Sequence, residues 1–67
     1  MTGVIIIFNV YSDFTRFRDI CAHYGINCVF SNNTLILPWI RVIDDDASIF
    51  LISAHYEELQ ETYVHWL

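Results

Sequence analysis

The chain has 67 residues, 55% of them hydrophobic, and its eight acidic side chains face three arginines and no lysine, for a net charge of −5. A chain of about 60 residues forms one domain, buries only about 60% of its extended surface and is marginal as a monomer, while this apolar content and eleven aromatics exclude a disordered chain. The missing basic patch argues against direct nucleic-acid binding and against an anionic membrane surface; it permits a protein partner with a basic surface, although such a net charge also serves solubility alone.

The first element is a strand over residues 3–11, where Gly3-Val4-Ile5-Ile6-Ile7-Phe8 runs apolar on both faces. Ser12 or Asp13 then offers an N-cap oxygen to a helix. On that helix Phe14, Phe17, Ile20, Cys21 and Tyr24 recur every three or four residues as one stripe, opposite Thr15, Asp19 and His23. Gly25 stands where a left-handed C′ residue would end the helix.

Asn27–Ser31 reads as a short strand, and Asn32-Asn33 as a two-residue type I′ turn returning the chain from Thr34 into an antiparallel partner. Pro38 cannot donate to a ladder, which places that partner at a sheet edge or at a bulge. Extended chain continues through Val42-Ile43, and Asp44-Asp45-Asp46 forms a solvated turn. Ser48–Ile52 then reads as a last strand. Ile49-Phe50-Leu51-Ile52 is apolar all round, so a helix starting at Asp46 is the rival reading of this segment. Ser53 would cap a final helix with Tyr56, Leu59, Tyr63, Trp66 and Leu67 on one side and Glu57, Glu58, Glu61 and His65 on the other.

The expected fold is therefore a small single α+β domain spanning residues 1–67, in the order β-α-β-β-β-α, with a mostly antiparallel sheet packed with two helices. In outline the layout resembles the split α/β modules built like half of a ferredoxin-like fold. Two helices of about a dozen residues cover one side of such a sheet, leaving alternate residues from Ile5, Ile7, Ile36, Ile40, Phe50 and Ile52 uncovered on the other. The alternative is that the helices straddle the sheet and bury both faces. If both lie on one side, self-association as a homodimer or larger oligomer is expected.

Candidate chemistry is sparse. Asp19 with His23, and Glu61 with His65, stand four apart, the spacing of a carboxylate orienting an imidazole but also of ordinary surface helix pairs. The sequence sets no nucleophile or oxyanion donor beside either, so no enzyme activity is expected. Cys21 and Cys28 with His23 or His55 lack zinc-site spacing and read as core thiols. No cofactor or metal is expected. With no basic n-region and only two cysteines, a reducing cytoplasmic setting is expected, the host cytoplasm if the source is a virus.

What remains is surface. Asp44, Asp45 and Asp46 and the Glu57, Glu58 and Glu61 face could lie together. Carboxylates on successive helical turns, about 5–6 Å apart, are compatible with imitating a phosphate track. Trp39, after a proline at an expected edge, is the best aromatic anchor for a contact. These features describe an acidic protein-binding module that blocks a surface of a partner, such as a nucleic-acid-processing enzyme. In size and charge it resembles small virus- or mobile-element-encoded inhibitors, anti-CRISPR and anti-restriction proteins among them. A domain whose partner is itself, and a small enzyme or ligand-binding domain with a site between subunits, are the alternatives.

Overall fold

A computed structural model describes residues 2–67. Its elements are β1 (Val4–Phe8), α1 (Tyr11–Tyr24), β2 (Cys28–Ser31), β3 (Trp39–Val42), α2 (Asp45–Ala54), a 3₁₀ turn (Glu57–Leu59) and β4 (Thr62–Trp66). The four strands form one antiparallel sheet in the order β2-β3-β1-β4. The fold is α+β, with the two helices and the antiparallel sheet expected. β3 lies between β1 and β2, and β1 lies between β3 and β4, so two split β-α-β units interleave in the ferredoxin-like connectivity.

The order of the last two elements is the reverse of the expected one. Residues 47–52 are helical and residues 62–66 extended. Asp44 decides the first: its side chain accepts from the N–H groups of Asp46 and Ala47, capping a helix whose first turn carries Asp45 and Asp46 against the positive end of the helix dipole. The Asp run is therefore a helix start and not a solvated turn. Thr62-Tyr63-Val64-His65-Trp66 is wholly β-branched and aromatic apart from one histidine, and such residues suit a pleated surface. Its three- and four-residue coincidences with Tyr56 and Leu59 do not mark a helix.

The hairpin also differs. Seven residues, 32–38, join β2 to β3, and among the described residues no non-glycine residue has positive φ, so the hairpin has no type I′ turn. Asn33 instead accepts the Leu35 N–H on its side chain (2.9 Å) and the Ile36 N–H on its carbonyl (3.3 Å), a local turn that leaves Leu35-Ile36-Leu37 outside the sheet. Pro38 sits just before β3, where no ladder donor is needed, and its carbonyl accepts from Phe8 (2.9 Å). β3 is thus an inner strand, not an edge.

At α1 the expected stripe holds: Phe14, Phe17 and Cys21 are fully buried and Ile20 packs beside them, although Tyr24 remains exposed. The helix starts earlier than expected, with Val10 at the N-cap position and no side-chain cap. Gly25 adopts φ 66° and ends the helix as anticipated.

One core unites both helices with one side of the sheet. Val4, Ile6 and Phe8 from β1, Ile40 and Val42 from β3, Phe14, Phe17 and Cys21 from α1, Leu51 from α2 and Leu59 form a single buried cluster. Its strand members are the alternate residues of one face, so both helices cover the same side. Ile40 belongs to this core, and Phe50 and Ile52 belong to α2; neither set is on the uncovered face as expected.

Candidate interaction site

The uncovered face follows from register. Residues opposite one another in antiparallel strands share a face. Ile5 faces Arg41 and His65, Ile7 faces Trp39 and Tyr63, Arg41 faces Val29, and Trp39 faces Ser31. Aromatic and aliphatic groups dominate this surface, which carries no carboxylate despite the acidity of the chain. Val29 is 52% exposed and Tyr63 58%. The Tyr63 and His65 rings lie nearly parallel, 6.1 Å apart.

The patch extends beyond the strands. Ile7, Thr34, Leu35, Ile36, Leu37 and Trp39 line one shallow concavity at the β2–β3 end, where Leu35 is 88% exposed. A loop holding three consecutive large aliphatic residues in water has no use in the fold's own core. Trp39 joins this loop to the sheet face, through Pro38 on one side and its partner Ile7 on the other.

The acidic groups do not gather. Asp44, Asp45 and Asp46 lie at the start of α2, whereas Glu57 and Glu58 lie in the 3₁₀ turn after its end and Glu61 just before β4. Eight helical residues, Ala47 to Ala54, stand between the two sets, about 12 Å of helix. They do not form the neighbouring pair expected, nor do the glutamates share a helical face. Asp44 caps α2, Asp45 accepts from the Gly3 N–H, and Glu58 Oε2 lies 3.3 Å from His55 Nδ1. Asp46, Glu57 and Glu61 are exposed, and their carboxylates accept no hydrogen bond among the described residues.

Of the histidine pairs, Glu61 and His65 separate, one in a turn and the other on a strand. Asp19 and His23 line a cleft with Arg16, Tyr24 and His55, between α1 and the end of α2. There Phe17 meets the His55 ring edge-on at 5.6 Å, and His55 Nε2 is buried without a partner among the described residues. Among the described residues no three His, Cys, Asp or Glu side chains are placed to hold a metal ion. Cys21 and Cys28 are free thiols, Cys21 fully buried. Burial, then the neighbouring Cys28, pushes the Cys21 thiol up to about 12. Among the described residues no helix is long and apolar enough to cross a membrane.

Tyr63, His65, Arg41 and the exposed loop of Leu35–Leu37 are the surface residues that sequence reasoning missed. The usable signal was the β-branched and aromatic run at residues 62–66, which carries no strong helix former. No protein-family model matches the chain, and no curated protein or solved structure does either.

Proposed function

We propose that this chain is a non-enzymatic protein-binding module that seats its uncovered sheet face on a partner protein. The observation that carries the reading is the make-up of that face. Trp39, Tyr63 and Arg41 stand among Ile5, Ile7 and Val29 without a single carboxylate. Protein interfaces are enriched in tryptophan, tyrosine and arginine at their centres and depleted of aspartate, glutamate and lysine. A nucleic-acid track would need several cations to neutralise phosphates, and this face offers one arginine.

The acidic groups then act at the margins. Asp44–Asp46 and Glu57–Glu61 flank opposite ends of α2, where they raise the rate of encounter with a basic protein without being buried. Exposed Leu35, Ile36 and Leu37 supply apolar area beside Trp39. Blocking a surface is the action this geometry supports, because binding alone accomplishes it and no site chemistry is required. Imitation of a phosphate track is less well supported, since the carboxylates are split between two ends and three of the six are engaged within the fold.

The test is capture of the partner from the native host by the wild-type chain, identified by mass spectrometry and measured again with purified components. A Trp39→Ala, Tyr63→Ala double variant that folds should lose the partner, while Phe50→Ala, on the helix layer, should keep it. Retention by the double variant, or a preference for single-stranded oligonucleotide over every captured protein, would overturn the reading.

A further inference from the structure

We propose that β4 pairs with β4 of a second copy about a two-fold axis at Val64, giving a continuous eight-stranded sheet. This pairing follows from the backbone alone and is independent of any partner protein. β4 is an edge strand, bonded among the described residues only to β1. Leu67 donates to the carbonyl of Gly3 at 3.1 Å, one residue beyond the Val4–Trp66 pair. In an antiparallel ladder bonded and non-bonded pairs alternate. Tyr63 and His65 therefore spend their backbone groups on Ile7 and Ile5. The N–H and C=O groups of Thr62, Val64 and Trp66 point away from the sheet.

That edge lacks the usual protection. It holds no proline, no lysine and no carboxylate, and nothing covers it among the described residues. Long, uncharged edges of this kind are templates for another strand. Only outward residues can bond outward residues, which restricts the register. Setting Val64 across from its own copy pairs Thr62 with Trp66 and Trp66 with Thr62. All three outward residues are then mutually bonded, two bonds to a pair. Shifting by two residues in either direction leaves one outward residue of each copy unpaired. The other edge, β2, is weaker: the Ile43-to-Asn27 bond assigns Val29 and Ser31 inward and leaves only Cys28 and Phe30 facing out. A β4–β2 contact would also be head-to-tail and would not close.

Side chains and charge agree with this register. On the uncovered face Tyr63 comes opposite His65 of the second copy, extending the ring pair within each chain. On the helix side Trp66, 45% exposed, comes beside the second copy's Leu59–Thr62 segment, next to a groove lined by Ile52, Tyr56, Leu59, Val64 and Trp66. The nearest side-chain carboxylate in sequence, Glu61, would stand six residues along the strand from its copy, about 20 Å, well beyond the roughly 8 Å screening length at physiological salt. Net charge thus does not oppose the pairing at its centre.

The experiment is sedimentation equilibrium of the wild-type chain beside a synthetic chain carrying N-methyl-Val64. The methyl removes one outward donor from each copy and none of the bonds to β1. The wild type should sediment at twice 7.9 kDa at micromolar concentration, and N-methylation should weaken the dimer about tenfold or more. Circular dichroism of the N-methyl chain checks that it folds. A Val64→Cys variant, whose paired Cα atoms would be about 5.5 Å apart, should oxidise to a covalent dimer, while Tyr63→Cys should not do so with comparable yield. A wild-type monomer up to millimolar concentration, growth past the dimer, or a dimer that a folded N-methyl chain retains at full strength would each overturn the proposal.

Discussion

The backbone N–H of Gly3 donates to Oδ1 of Asp45, tying the entry of β1 to the first turn of α2 across 42 positions of sequence. With Asp44 capping the same helix, two of three consecutive aspartates are structural. Asp44→Ala should cost about 1 kcal/mol, within the usual range for a lost N-cap, and Asp45→Ala a similar amount for a lost part-buried bond. Asp46→Ala should cost less than either. Asparagine keeps an acceptor oxygen, so the triple Asp→Asn change should stay folded. Urea melts of the four variants check the ranking.

Gly3 has a second constraint. Its φ is +89°, and a Cβ there would stand 2.0 Å from the Val42 carbonyl oxygen, which belongs to β3's backbone and cannot move aside. Gly3→Ala should therefore destabilise the chain by about 3 kcal/mol or more, combining left-handed strain with a steric clash. Gly25 has φ +66° but open space around it, so Gly25→Ala should cost about 1 kcal/mol. Thermal unfolding of the pair separates strain alone from strain with collision.

Cys21 makes stability depend on alkaline pH. Burial in the core, reinforced by Cys28, raises its thiol from 9.0 to about 12 in the folded chain. The folded state thus holds the proton more tightly than the unfolded state does. This contribution is complete below pH 9 and is lost as pH rises from about 9 towards 12. The informative quantity is the difference between wild type and Cys21→Ala, which isolates this thiol. That difference should shrink above pH 9, with the variant less stable at pH 7 because it leaves a cavity. Cys21 should also alkylate far more slowly than Cys28, since a buried protonated thiol is a poor nucleophile.

The first half of the fold was legible because its signals are local and strong. The stripe of Phe14, Phe17 and Cys21 repeats at helical spacing, and Gly25 marks its end with the one conformation that only glycine adopts freely. The second half turned on competition between readings of equal local merit. Ile49-Phe50-Leu51-Ile52 suits a buried strand as well as a helix, and the decision came from Asp44, whose cap bonds give the helix its start. Thr62–Trp66 is extended because β1 offers a free edge, a relationship between residues nearly sixty positions apart that no local pattern carries. The candidate surface inherits the same split. Trp39 was visible as an anchor; Tyr63 and His65 join its face, on the far side of Ile7 and Ile5, only once β4 has joined the sheet.

Partner binding should respond differently to the two kinds of surface residue. Trp39→Ala removes a half-buried ring from the uncovered face where it meets the Leu35–Leu37 loop, so it should chiefly raise the dissociation rate, by about tenfold or more if the tryptophan is a hot spot. Leu35→Asp, at a side chain 88% exposed, should leave stability within about 0.5 kcal/mol of wild type yet weaken binding, because it puts a charge into the apolar concavity beside Trp39. The triple Asp44, Asp45, Asp46→Asn change should mainly slow association and flatten its salt dependence, as loss of steering charge does. Glu57, Glu58 and Glu61→Lys should slow it further by adding repulsion towards a basic partner. Because Glu58 faces His55, part of that effect on the folded chain is structural, and Glu57 with Glu61 alone is the cleaner pair. Surface plasmon resonance at two ionic strengths separates the rates. Dissociation unchanged by both Trp39→Ala and Leu35→Asp would remove the sheet face as the seat of binding, and association indifferent to both acidic sets would remove the steering role.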